Sequence, residues 1–498
     1  MSIYLWGIVV YLLFMIGVSV YKSRQVKTQD DFMVAGRGVT AAFLVGTLVC
    51  TWIGSGSLFG GAGRAFREGF SALWMSAGAW VGIAIVYFLA PRVRRIAKYT
   101  VPDILEMRYT PAARVLGTLA IVIAYLTIAG YQFIGGGKLL NILTGLPREY
   151  GIVIVCVLVI LYTVLAGMTS IVALDVINGL LITGGILIAA PFALQAAGGW
   201  GQITETLPAT HFTVTGAIGI MPALGLFFPT FFLLLGESGM YQKFMSAKDE
   251  GHARRAVIGM IVGVIVIETV LDSTAIFGAG AHWNDAAYRA ADGSLDRAAT
   301  EAVILRMGAG ADLPVAVGIL LLIGAAAIIF STANSFLMVP STNLARDIFQ
   351  RFLKPEASEK QVIGFQRAMI VVLALVALLI TTQFENILDM ALYAYTMVGA
   401  AVTPALLAAF LWRRITPLAG TVSVAAGMLA TVVFALLARF GGMESLDFGL
   451  FVLPLEYDYI IYPAGTASIL CLFLVSLFGK PTPEEKWRPF QAEAKRPS

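Results

Sequence analysis

Apolar residues come along this chain in runs of about twenty separated by short polar stretches. At 1.5 Å rise per residue, such a run crosses a hydrocarbon core of about 30 Å as a helix. The runs lie near 3–21, 41–62, 71–90, 113–140, 150–166, 171–192, 217–240, 255–280, 313–339, 365–383, 387–411, 417–438 and 459–479. The pattern predicts about thirteen transmembrane helices in an all-α polytopic membrane protein. Two runs are interrupted by helix breakers. TWIGSGSLFGGAG, residues 51–63, sets five glycines between Gly54 and Gly63, and MPALGLFFPTFFLLLGESGM, residues 221–240, carries Pro222, Gly225, Pro229, Gly236 and Gly239. Without the first run and the last two, ten remain, and each set of five opens on an interrupted run. Paired broken helices in matching positions predict a 5+5 inverted repeat with a binding site at its centre, because unwound backbone is tolerated at membrane depth only where it lines a cavity. The predicted units are an extra N-terminal helix (1–24), two five-helix repeats (36–195 and 215–412), two C-terminal helices (413–480) and a polar tail (481–498).

Composition narrows the reading. Of 498 residues 58% are apolar and only 13% charged, too little polar surface for a soluble globule, and a net charge of +4 without a basic patch gives nucleic acid no footprint. If the C-terminus is cytoplasmic, the segments on that side carry 26 of the 34 Lys and Arg residues, so the positive-inside bias puts the N-terminus outside. Cys50, Cys156 and Cys471 lie in apolar segments without ligand spacing, and His211, His252 and His282 fall in polar connections. The long outer connection, 281–312, reads as a surface loop or lid, and the tail as disordered and too short for a signalling or catalytic domain. An enzyme would need histidines or paired carboxylates at membrane depth, and Asp175 has no evident carboxylate partner, so no catalytic residues are assigned.

Three features carry chemistry. The freed carbonyls of the first broken helix are ligands for a cation. In AAIIFSTANSFLMV, Ser331, Asn334 and Ser335 share one helix face with Thr332 a quarter turn away, which opposes hydroxyls to those carbonyls. Asp175 sits within a run, at a cost of about 2.5 to 3.5 kcal/mol on insertion scales, and serves either as an ion ligand or as a structural carboxylate near a helix N-terminus.

These stretches, with LYTVLAGMTSIVALDVINGLL, YQKFMSAKD and FSTANSFLMVPSTNLARDIF, resemble the sodium:solute symporters, transporters with a LeuT-like inverted-repeat core, over nearly the whole chain. The resemblance implies a main sodium site from the carbonyls of Thr51, Gly54 and Ile328 and the hydroxyls of Ser331 and Thr332. It also implies, for some members, a second site from Asp175, Ser331, Asn334 and Ser335, where Asn334 departs from the expected serine. The glycine stretch looks like those of choline transporters and pantothenate carriers, but the aromatic cage of the choline branch is interrupted by Glu237 and Ile128. The implied activity is sodium-coupled import of a small organic solute by alternating access across the cytoplasmic membrane. Membrane lipid and sodium are the other partners, and no obligate protein partner is evident. Trp52, Ser55, Ser57, Trp74, Gln132 and Glu237 are the candidate solute residues. Glu237 meets a cationic group of the solute, a protein cation or a proton, or else snorkels toward the cytoplasmic face near Lys243 and never meets the solute. A transporter-like sensor with a separate signalling partner and an ion-conducting channel are the alternatives.

Overall fold

The computed structural model describes residues 3–24, 28–96, 98–384, 386–447, 449, 452–479 and 482–491. Lys27, Lys480, Lys495 and Arg496 of the charge count, and the tail beyond Gln491, therefore lie outside the described residues. Twelve helices among the described residues are long and apolar enough to cross a bilayer, and Ala41–Trp52 is a shorter apolar one. One of the twelve, Gly56–Ile96, has 41 residues, about 60 Å of helix, too much for a single crossing. It turns back at Gly69, whose φ of +66° suits glycine and whose missing Cβ would strike the His211 backbone.

In chain order the helices are α1 (Ile3–Ser23), α2 (Ala41–Trp52), α3 (Ala62–Glu68), α4 (Leu73–Ile96), α5 (Pro111–Thr144) and α6 (Arg148–Ala196), which opens at Gly167 into two crossings. There follow α7 (Ile220–Gly236), α8 (Ser238–Ser246), α9 (Glu250–His282), α10 (Val303–Ala309), α11 (Val315–Asn343), α12 (Glu359–Ile380), α13 (Ile387–Ala401), α14 (Thr403–Leu411), α15 (Pro417–Phe440), α16 (Ile461–Phe478) and α17 (Glu484–Gln491). The only sheet among the described residues is a two-stranded antiparallel pair, Ser445–Asp447 with Val452–Pro454, in which Leu446 faces Leu453.

Burial sorts the helices. Every residue of α11 from Gly324 to Asn343 is buried, so this helix is the axis of the bundle. By contrast α1, α15 and α16 hold Leu13, Phe14, Leu436 and Phe473 out to the surface, apolar side chains that suit lipid. At the end read as cytoplasmic, Arg114 on α5 pairs with Asp103, Glu106 and Asp347, and the Thr100 hydroxyl donates to Asp347 Oδ1 at 2.9 Å. The aspartate of the LARDIF stretch thus anchors the end of α11 to α5. A second cation there, Arg108, donates to the carbonyls of Trp412, Arg413 and Ile415, capping the end of α14, where a positive group complements the helix dipole.

Three expectations are corrected. The outer connection is packed rather than a surface loop: Val303, Ile304, Leu305 and Met307 of α10 are buried, and Glu301 pairs with Lys138 at 2.5 Å. The tail is helical through Gln491, with Phe490 buried against Phe410 and Lys486 Nζ donating to Tyr109 O at 2.6 Å. The histidines are not loop residues of one kind. His252 and His282 lie in the first and last turns of α9, while His211 is buried edge-on to Trp283, and that burial holds its imidazole below the ordinary value.

Candidate functional site

The first broken helix leaves helical geometry at Ile53 (φ −72°, ψ 97°), regains it at Ser55 and winds as a wide π-helical turn from Gly56 to Gly61 into α3. Leaving the helix strands backbone groups that need partners. The Thr332 hydroxyl, from α11, lies 3.3 Å from Cys50 O and 3.2 Å from Ile53 O. Ser331 Oγ lies 3.3 Å from Ile328 O of its own helix. A Cβ on Gly54 would stand 3.1 Å from Thr332 Cγ2. Of the residues proposed for the main cation site, Thr332 therefore meets the break, while Ser331 bonds within its own helix. The carbonyls touching Thr332 are those of Cys50 and Ile53, each one residue before Thr51 and Gly54. Gly54 O instead accepts the amides of Ser57 at 3.1 Å and Leu58 at 3.0 Å.

Gln132 of α5 repairs the other side of the break, its Oε1 accepting Ser55 N at 3.0 Å and Ser55 Oγ at 2.5 Å. Its Nε2, fully buried, has no partner among the described residues. Glycine at 56 leaves room for the Tyr395 hydroxyl, which would come within 2.5 Å of a Cβ there and lies 3.3 Å from the Tyr131 hydroxyl.

The break also faces two carboxylates that the sequence reading overlooked. Glu268 and Asp272 lie one turn apart on α9, both buried. Glu268 accepts Trp52 Nε1 at 3.0 Å and Ser57 Oγ at 3.3 Å on Oε1, and Trp80 Nε1 at 3.0 Å on Oε2. Asp272 lies beside Gly61. The signal was present in the sequence as two acidic residues four apart in VIVIETVLDSTAIF. Asp175 itself gains no carboxylate partner from them, since both lie on α9.

The second break is a single residue. Glu237 (φ −66°, ψ 104°) ends α7 and begins α8, and its carboxylate accepts the amides of Gly239, at 2.9 Å, and Met240 and the hydroxyl of Tyr125. It is a buried N-cap, and it also bounds a small cavity with Trp52, Met240, Met260 and Phe336. It does not snorkel toward Lys243. That lysine, from the last turn of α8, reaches inward to donate to Thr47 O at 2.9 Å and to the Thr51 hydroxyl, 3.6 Å from Asp175 Oδ2.

The other predicted residues separate. Asp175 accepts the Thr47 hydroxyl at 2.5 Å and has no hydrogen bond to Ser331, Asn334 or Ser335 among the described residues. Ser335 Oγ lies 3.2 Å from Thr51 Oγ1, and Asn334 Oδ1 is buried without a partner among the described residues. Trp74 donates to Val214 O at 2.9 Å, and Trp80 is the α4 indole that reaches Glu268. Above α3, a polar cavity of about 570 Å³ is walled by Arg64, Arg67, Glu301, Asp389 and Asp458.

Residues 32–429 match the model of a family described as the sodium:solute symporter family. The chain is similar to the high-affinity proline transporter PutP of Bacillus subtilis (strain 168), 24% identical over 486 residues, which cover 93% of this chain and 95% of that protein. Among solved structures it resembles the substrate-bound outward-open state of a Na⁺-coupled sialic acid symporter, with a TM-score of 0.78 at 17% identity over 97% of this chain and 99% of that one. It also resembles Mhp1, a nucleobase-cation-symport-1 family transporter, with a TM-score of 0.56 at 14% identity over 92% of this chain and 97% of that one. At these identities the structural likeness is one of fold.

Proposed function

Because the chain belongs to the sodium:solute symporter family and is a sodium-coupled solute symporter, we propose that its solute is a small amino-acid-like zwitterion held between the first break and α9. The observation that carries this reading is the Glu268 and Asp272 pair facing the break. Two carboxylates buried one turn apart are costly unless a cation or a proton joins them. A protonated amine supplies the charge. The unpaired Gln132 Nε2, on the other side of the break, supplies a donor to a carboxylate. Similarity to a proline transporter favours the same class.

Sodium is read at Thr332, whose hydroxyl meets the Cys50 and Ile53 carbonyls, with Ser331 and Ile328 O next to it on α11 as further ligands. Holding the break in one geometry there orders Trp52 and Ser57, which bear on Glu268, so ion and solute occupancy support one another. The helix bundle rocks against its scaffold around this centre to expose it alternately. The bias of basic residues supports a cytoplasmic membrane location with the N-terminus outside. The test is competition for sodium-driven uptake in proteoliposomes by proline and other amino acids, by amines lacking a carboxylate, and by organic acids lacking an amine. Amino acids compete best on this reading. Strong competition by amine-free acids with none by amino acids overturns it.

A further inference from the structure

The geometry points to Lys243 as a built-in cation that fills the place of a second sodium ion, so that this protein binds one sodium where an Asp175-centred site would otherwise take another. The ammonium is buried, and all its close partners are oxygens of the kinds that ligate a hard cation: the carbonyl of Thr47, the hydroxyl of Thr51 and the carboxylate of Asp175. Ser335, part of the second sodium set named from the resemblance, is joined to this group through the Thr51 hydroxyl at 3.2 Å. Asp175, the other anchor of that set, spends its carboxylate on the Thr47 hydroxyl and on Lys243.

Charge accounting gives the same answer. Asp175 is buried deep in α6, and one unit of positive charge offsets it. The ammonium already supplies that unit, and adding sodium would put two cations around one carboxylate. Because Lys243 is part of α8, the positive charge is never exchanged with either solution. It can neutralise Asp175 and tie α8 to α2 and α6, but it cannot draw on the sodium gradient.

The test counts bound ²²Na⁺ per chain on the purified, detergent-solubilised full-length protein at saturating sodium, with no solute needed. The native chain binds one ion. Lys243→Ala leaves the oxygens of Thr47, Thr51 and Asp175 without a cation and binds two. Lys243→Arg keeps a tethered charge and binds one, and Lys243→Ala combined with Asp175→Asn returns the count to one. Two ions on the native chain overturn the proposal whether or not the variants fold, as does a count of one for a folded Lys243→Ala. Neither result touches the assignment of the solute, which is read from uptake competition.

Discussion

In the first broken helix the chain abandons helical geometry around Ile53 and Gly54, and in the second at Glu237 alone. That difference decides what each break presents. The longer gap turns carbonyls toward α11, where Thr332 meets Cys50 O and Ile53 O. The shorter gap leaves mainly the first amides of α8 to be satisfied, and Glu237 satisfies two of them with its own carboxylate. On the proposed reading the first break receives positive charge, whereas the second has its anion supplied by the chain. The second break nevertheless contributes to the first, through Lys243 at the far end of α8.

The comparison breaks first at Glu268. Glu268→Gln keeps the shape and removes the charge beside the glycine break, and it is expected to weaken affinity for an amine-bearing solute by about 1.5 to 3 kcal/mol, roughly 10- to 150-fold. Solute-protected thermal unfolding at fixed sodium reads this. Thr332→Val, which exchanges the hydroxyl for a methyl, is expected to raise the sodium concentration for half-maximal uptake by about tenfold, corresponding to about 1.4 kcal/mol. In the second break, Glu237→Gln is expected to act on the fold instead, lowering stability by about 1 kcal/mol through a weakened cap while solute affinity stays close to native. A large loss of solute affinity with unchanged stability would make the second break a receptor as well. Smallest is Trp74→Phe, which loses only a bond to Val214 O at the surface and should stay within about 0.5 kcal/mol of native in stability and solute binding.

The crossings and the two breaks were legible because both are local: hydropathy sets the first and clustered glycine and proline the second. Thr332, which meets the break, stood out for the same reason, as one of several hydroxyls close together in one helix. Lys243 was misplaced because a basic residue near a span end counts toward orientation, and nothing in the local pattern says that its side chain turns back to Asp175. Glu268 and Asp272 were visible as letters but were averaged away by the strongly apolar residues around them. Trp80 in place of Trp74 depends on how α4 rotates against α9, a matter of long-range packing. The structured tail depends on contacts far away in sequence, Phe490 against α14 and Lys486 on Tyr109 O.

The most direct measurement of the central claim is a sodium titration of uptake in native protein, Thr332→Val and Glu237→Gln, reconstituted side by side in proteoliposomes with the same amino-acid solute. If the first break alone receives the coupling ion, the half-saturating sodium concentration rises about tenfold in Thr332→Val, about 1.4 kcal/mol, and stays at the native value in Glu237→Gln. An unshifted Thr332→Val, or equal shifts in the two variants, contradicts the division of roles between the breaks.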